Sequence, residues 1–421
     1  MNYYTYDIIL LIQFVVLTLT SVVAIFFLNY CKKLTHFLDE KNIISCNMQS
    51  LPFISVIVPT YNESILISEK IQNTLSVNYP KNKIEVIVID SASTDGTASI
   101  AGKFEDVKVI VQLERKGKSS ALAEAFTCVE GEIIVITDAD AMLDKDALLI
   151  TVQYLSDKKV GAVTGKQVLI TPSGTQFEEK ERSYRDIFDF IRNAESNMHS
   201  TMIFNGPLMA FKREILEAPA PNSVADDTEM AILVIKKGYR TLYAPEAIFY
   251  ENIPLSDKSR LKQKQRRAQG LVQSFWKHKD MLFNSKYGLF GKEIFPAEFA
   301  VHIILPFALL ISGITVSTGL YVNFWNSLLI TIAFLLINAA YAAFVYSHVG
   351  SFMGTNKDEG AENKIIQKIG VTTISFLQLQ YALLMGSLKL LLFGSHFKWE
   401  QIADARYQKD INAADYKKVQ K

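Results

Sequence analysis

The chain of 421 residues is poor in the groups that most often announce chemistry. Its three cysteines, Cys31, Cys46 and Cys128, form no CxxC pair, so a zinc ribbon and a disulfide framework are both excluded. The six histidines are scattered and no HExxH occurs, which argues against a zinc hydrolase. No G-x-G-x-x-G follows the first strand-like run; that place holds "PTYNES", so a dinucleotide fold is excluded. A complete P-loop is missing too. "QLERKGKSS" supplies Gly117, Lys118 and Ser119, but Gln112 stands where the first glycine belongs. Charge of one sign is also lacking. Lys+Arg number 44 and Asp+Glu 43, for a net +1, which gives no footprint for a nucleic-acid partner.

What is abundant is apolar sequence, 49% of residues, gathered into a few long runs. The run from Ile8 to Leu28 is long enough to cross a bilayer. No basic residue precedes it and no A-x-A site closes it, so it does not read as a cleaved signal peptide. Lys32 and Lys33 follow it, which predicts an outside N-terminus and a cytoplasmic next domain. Two more spans are expected at Pro296–Leu320 and Ser327–Tyr346, joined by an outside turn, "YVNFWN". The loop 347–368 carries Lys357, Lys364 and Lys368, which suits the inside. A fourth segment, 369–392, contains Gln378, Gln380 and Lys389, so spanning and re-entry both stay open. The expected division is an N-terminal helix and linker (1–50), a globular domain (51–285), and a membrane region with a basic tail (286–421).

Within the middle division, β-branched runs alternate with helical patterns. "FISVIVPTYNES", "IEVIVIDSASTDGT", "VKVIVQ" and "EIIVITDAD" each start as strands and end in polar residues, with helices such as "SILISEKIQNTL" and "KSSALAEAFTCV" between them. This order predicts an α/β fold with a parallel, doubly wound sheet, whose ligands bind at the carboxyl ends of its strands.

The polar segments are chemically specific. Tyr61 in "VPTYNE" offers an aromatic face for a base, and Glu63 a carboxylate for a base N–H. Alternatively, Asn62 caps the next helix. Asp90 ends the second strand, where Ser93 or Thr94 could cap instead. In "VITDADAML", Asp138 and Asp140 end an apolar strand. A hard divalent ion takes few protein carboxylates plus phosphates, and this pair suits it; Asp144 is better placed as a helix cap. Asp226 and Glu229 in "VADDTEMAILVIKKGYRTLYAPEA" have capping-box spacing, which leaves Asp227 for other work. "DKSRLKQKQRRAQGLVQSFWKHKD" reads as a basic interfacial helix, with Arg260, Lys277 and Lys279 facing membrane lipids and Arg115 and Lys116 elsewhere as solvated charges.

Taken in order, "VPTYNE", "DSASTDGT", "GKSSAL", "TDAD", "NGPLMAFKR", "ADDTEM" and "QKQRR" make residues 54–270 resemble a family 2 glycosyltransferase of GT-A fold. The membrane layout resembles the branch that contains hyaluronan, chitin, cellulose and poly-N-acetylglucosamine synthases. The resemblance implies a nucleotide-sugar site at Pro59, Tyr61, Glu63, Asp90, Lys118 and Asp138, with Asp140 as the metal ligand for Mg²⁺ or Mn²⁺. It implies Asp227 as catalytic base, and Gln263, Arg266 and Arg267 on the diphosphate and acceptor side. Arg267 stands where those synthases carry tryptophan, and Asn205 and Pro207 occupy positions where small residues are common, so the acceptor is left open. The implied reaction is inverting transfer from a nucleotide sugar, expected to be UDP-linked, to a glycan or lipid-linked acceptor at the plasma membrane. A processive synthase and a catalytically silent nucleotide-sugar binder are the alternatives.

Overall fold

The computed structural model describes residues 3–38, 51–170, 176–221, 223–252, 257–352 and 361–394. The linker before the first strand, Lys357 and the basic tail lie outside the described residues, as does the side chain of Arg260.

The chain begins with one long helix, α1 (Tyr3–Leu34). The β-branched runs then become β1 (Ile54–Thr60), β2 (Ile84–Asp90), β3 (Val107–Val111) and β4 (Ile133–Ile136). Between them lie α2 (Ile67–Leu75), α3 (Thr97–Ala101) and α4 (Lys118–Ala125). These four strands are mutually parallel in the order β3-β2-β1-β4. Strands β1, β4 and most of β2 are buried on both faces because alternate residues feed different helices, while β3 is a partly exposed edge. Val56 and Val58 pack toward α2, α3 and the later α5, while Ile57, Ile87 and Ile134 pack toward α4 and the later α7. Each fully buried aliphatic side chain contributes about 1.5–3 kcal/mol to that packing.

The second half departs from the expected all-parallel sheet. β5 (Ala141–Leu143), α5 (Ala147–Leu155), β6 (Val160–Ile170), α6 (Gln176–Met198) and β7 (Met209–Lys212) come next. After them run α7 (Asp226–Lys236), β8 (Arg240–Asn252) and α8 (Asp257–Lys277). Strand β7 runs antiparallel between β4 and β6, and β5 runs antiparallel to β8, which gives one mixed sheet of eight strands, β3-β2-β1-β4-β7-β6-β8-β5. "MAFK" is short and gives no sign of direction; its reversal comes from the route the chain takes back from α6.

Helices α9 (Phe295–Phe299) and α10 (Leu305–Val322) join through π-helical turns into one rod, Phe290–Val322. Helices α11 (Phe324–Phe352) and α12 (Ala361–Phe393) follow. Among the described residues, four helical segments, Tyr6–Phe37, Phe290–Val322, Phe324–His348 and Ile374–Leu392, are long and apolar enough to cross a membrane. Polar side chains join them. Gln13 donates to the Ser327 carbonyl at 3.2 Å and to Thr331 at 3.0 Å, and Thr20 meets Ser312 at 2.8 Å. Such bonds replace partners that hydrocarbon cannot offer. The fourth segment leans on α8 so closely that a Cβ on Gly386 would sit 2.8 Å from the Gln269 nitrogen. Two of its polar side chains meet protein: Gln380 reaches the Val301 carbonyl at 3.4 Å and Lys389 reaches Gln265 at 3.2 Å.

Candidate active site

Strands β1, β2 and β4 end side by side, so the residues just beyond them share one edge. The β1 and β2 loops are stitched together. Asn62 accepts from the Thr94 N–H at 2.9 Å, and the Asn62 N–H donates to Ser93 at 2.7 Å. Asn62 therefore ties two loops and does not cap α2, whose first turn has no side-chain cap. Asn62 and Ala92 both take the left-handed backbone (φ 53° and 57°), a local cost that the cross-links hold in place.

A small hollow opens on this edge between Tyr61, Ser91, Arg115, Lys118 and Asp138. The Arg115 guanidinium lies 3.8 Å from the centre of the Tyr61 ring. Arg115 is thus a stacked wall of the hollow and not a solvated charge. Asp90 ends fully buried, accepting from Ser93 N–H at 2.9 Å and Thr60 hydroxyl at 3.2 Å; it shapes the loop from beneath and does not line the hollow. Glu63 is buried as well, its N–H donating to Thr97 at 2.8 Å.

Asp138 and Asp140 occupy the turn between β4 and β5. Beneath that turn lies a fully buried cation, Lys70 of α2. It donates to the Thr137 hydroxyl at 2.7 Å and to the Ala141 carbonyl, bracketing both ends of the turn. Burial pushes Lys70 down to about 7, against the opposing pull of Asp138 and Asp140. No motif pointed to it, because it lies within the apolar face of a helix read only for its spacing.

Gly117, in a positive-φ conformation (91°), turns the chain into α4 and starts that helix at Lys118. The Lys118 ammonium sits 2.7 Å from Asp138 and 3.5 Å from Asp226. Burial alone would lower its pKa, but the fields of Asp138, Asp226 and Asp227 outweigh that and raise it. Asp226 is pushed up by burial, with Lys118 opposing and Asp227 and Asp138 adding to the rise.

Asp226 and Asp227 open α7, whose N-cap is Ala225 without a side-chain cap. The expected capping box is therefore not made. Glu229 turns away to Lys277 of α8, so Lys277 pairs with protein and is not left to lipid headgroups. Gly270 lets α8 cross the start of α7 at contact; a Cβ there would lie 2.7 Å from that of Ala225. One turn earlier in α8, Arg266 enters the fields of Asp138, Asp226, Asp140 and Asp227. Asp227 is approached from the other side by Gly206, where a Cβ would be 3.6 Å from its Oδ2 and 3.7 Å from the Lys118 ammonium.

These groups border a cavity of about 240 Å³. Of the residues expected from sequence, Lys118, Asp138, Asp227, Gln263, Arg266 and Arg267 line it, and Asn205 and Pro207 form part of its wall. Pro59 and Tyr61 lie in the adjoining hollow, which shares Lys118 and Asp138. The cavity also takes in Gln167, Arg185, Asp189, Arg192, Glu251 and His302, which no motif indicated. They come from β6, β8, α6 and the π-helical turn before α10, and only the tertiary fold brings them together. Glu251, beside Ala141 across the β5–β8 ladder, is pushed up to about 8 by burial and then by Asp140.

Among the described residues, no three His, Cys, Asp or Glu side chains gather as a metal cage. Two aspartates on one turn nevertheless suit Mg²⁺ or Mn²⁺, which take one or two carboxylates and fill the remaining positions with phosphate and water. The nearby Asp226 Oδ2 is buried without a hydrogen bond and faces only the Lys118 ammonium, at 3.5 Å.

The family model described as glycosyl transferase family 2 matches residues 55–218. The solved structure of a mannosyltransferase from Pyrobaculum calidifontis, in complex with GDP-Man and Mn²⁺, superimposes with a TM-score of 0.69 at 31% identity, covering 91% of this chain and 99% of that one. A probable glycosyltransferase of Bacillus subtilis, YdaM, is 28% identical over 311 residues, 69% of this chain and 73% of the relative. A poly-beta-1,6-N-acetyl-D-glucosamine synthase of Staphylococcus epidermidis is 26% identical over 245 residues, 56% of this chain and 59% of that synthase. With the strand-end aspartates, the mixed GT-A sheet and a 31% identical relative matched along nearly its whole length, the chain belongs to glycosyl transferase family 2 and is a glycosyltransferase.

Proposed function

We propose that the chain transfers a hexosyl or N-acetylhexosaminyl group, with inversion, from a nucleotide sugar to a glycan or lipid-linked acceptor at the membrane. The observation that carries this reading is the cluster on Lys118: an ammonium 2.7 Å from Asp138 and 3.5 Å from Asp226, in one cavity with Asp227 and Arg266. The nucleoside rests in the Tyr61–Arg115 hollow, with Asp90 and Glu63 shaping its loops. Lys118 and Arg266 hold the diphosphate through charge-assisted contacts. A divalent ion held by Asp138 and Asp140 would supply counter-charge for the departing diphosphate.

Asp227 takes the proton of the acceptor hydroxyl as its oxygen bonds to the anomeric carbon. The bond from that carbon to the diphosphate oxygen breaks, and its electron pair leaves with the nucleoside diphosphate. One displacement inverts the anomeric centre. Gln263 and Arg267 lie on the acceptor side. Residues 51–285 form the catalytic unit in the cytoplasm, with the four long helices in the plasma membrane and Lys32 and Lys33 on the inner side.

The sequence resemblance favours a UDP-linked donor. GDP-mannose is a second reading, favoured by the GDP-Man complex of the relative matched almost end to end. Purified full-length protein with Mn²⁺ and a panel of labelled UDP- and GDP-sugars decides between them. Transfer from one donor class is the expected result; no nucleotide release from any donor would overturn the reading. Long polymer in the products would replace single addition by processive synthesis.

A further inference from the structure

The cavity lining holds two sets of charges. Around Lys118, carboxylates surround a cation. At the mostly basic end lie Arg185, Arg192, Lys264 and Arg267, with Asp189 and Glu251 among them; Glu251 also lies in the fields of Asp140 and Asp138. Arg192 is 6% exposed, its Nε donating to the Ile203 carbonyl at 2.9 Å and its Nη1 lying 3.3 Å from Asp189. Arg185 donates to Gln167, which in turn donates to Glu251. Arg192 is lowered by burial and then by the like charges of Arg267 and Arg185. A fold that presses guanidinium groups together in a hollow is stabilised by an anion between them, and guanidinium forks match phosphate oxygens.

The same end carries an unspent polar group. His302 sits in the π-helical turn before α10, with a side chain 2% exposed. Its Nδ1 lies 2.9 Å from the Glu298 carbonyl and 3.1 Å from the buried Glu298 carboxylate, while Nε2 has no hydrogen-bond partner, and the residue lines the cavity. A buried, unsatisfied polar atom is costly unless a ligand or water meets it. Around it the wall is apolar, made by Phe188, Ile203, Leu271 and Leu379. Leu379 belongs to Ile374–Leu392, a segment apolar enough to cross a membrane. A small soluble anion needs no such wall, whereas an anion attached to a hydrocarbon chain does.

We infer that this end of the cavity binds the phosphate of a lipid-linked acceptor, with Arg185, Arg192 and Arg267 as its counter-charges and His302 beside it. The inference rests on the sugar-transfer reading above, because it names the acceptor for that site. The phosphate and its chain lie toward α12, and the hydroxyl to be glycosylated lies toward Asp227.

The test titrates dodecyl phosphate into the purified full chain in dodecyl maltoside and follows binding by thermophoresis. Saturable binding is expected, weakened about tenfold by Arg267→Gln and less by Arg267→Lys. Arg267 is exposed, so these variants keep the fold, which gel filtration and melting verify. Binding no tighter than that of dodecyl glucoside, or binding untouched by Arg267→Gln, overturns the inference. Displacement by inorganic phosphate at the same concentrations overturns the lipid-linked assignment. UDP and GDP with Mn²⁺ are titrated into the same preparation. Nucleotide bound without dodecyl phosphate sinks this inference alone, whereas failure to bind either nucleotide sinks the sugar-transfer reading.

Discussion

The two ends of the cavity were built in different ways. The donor end is local in origin: β1, β2 and β4 are parallel neighbours, so Tyr61, Ser91 and Asp138 reach one edge simply because each follows a strand end. The end proposed to hold the acceptor is assembled from distant pieces. Arg192 comes from the C-terminal third of α6, Glu251 from β8, Arg267 from α8 and His302 from a π-helical turn. On the proposed reading, donor binding falls to short loops on a regular sheet, and acceptor choice to helices that also pack against the membrane-length segments.

Four substitutions test that contrast, in descending order of effect. Asp227→Asn removes the proposed proton acceptor, and transfer should fall by about 10²–10⁴ while nucleotide binding persists. Steady-state rates with saturating donor measure it. Lys118→Met leaves Asp138, Asp226 and Asp227 facing one another without their cation. A loss of about 10²-fold is expected, mostly in turnover, since the cation stabilises the departing diphosphate.

Lys70 gives a pH signature to the donor end. Its folded pKa is lowered to about 7, whereas an unfolded lysine holds its proton to roughly pH 10. Between those values the unfolded chain binds the extra proton, so stability rises with pH across the window and the full penalty applies below it. In EDTA the wild type should gain stability between about pH 7 and pH 9, at up to about 1.4 kcal/mol per unit. Lys70→Met should flatten that rise; an identical pH dependence in both proteins would mean that Lys70 does not titrate there. The smallest effect belongs to the helices remote from the cavity. Gln13→Leu deletes the bonds to Ser327 and Thr331 and should cost about 1 kcal/mol, read as a small drop in melting temperature with transfer intact.

The same contrast explains what the sequence could reveal. Strands β1 to β4 were legible because each is a compact β-branched run closed by polar residues. Lys118, Asp138 and Asp227 were legible because their chemistry is carried by short ordered motifs, and all three line one cavity. The antiparallel β7 was not, since strand direction is a property of the returning chain and not of "MAFK". Arg115 read as a solvated charge because its partner, the Tyr61 ring, lies across two loops. Asp226 and Glu229 have the spacing of a capping box, yet Lys118 and Lys277 take them instead, and charge pairing at close range outcompetes a local cap. Arg192 and His302 left no local trace, for their meaning depends on which helices pass beside them.

The central claim is that a nucleotide diphosphate and its metal sit between the strand-end aspartates and the basic residues of α4 and α8. A cryo-electron-microscopy structure of the full chain with Mn²⁺ and UDP or GDP tests it most directly. The account predicts metal density at Asp138 and Asp140, with the diphosphate against Lys118 and Arg266 and the base beside Tyr61 and Arg115. Nucleotide density away from this cavity, or a diphosphate touching neither Lys118 nor Arg266, would contradict it.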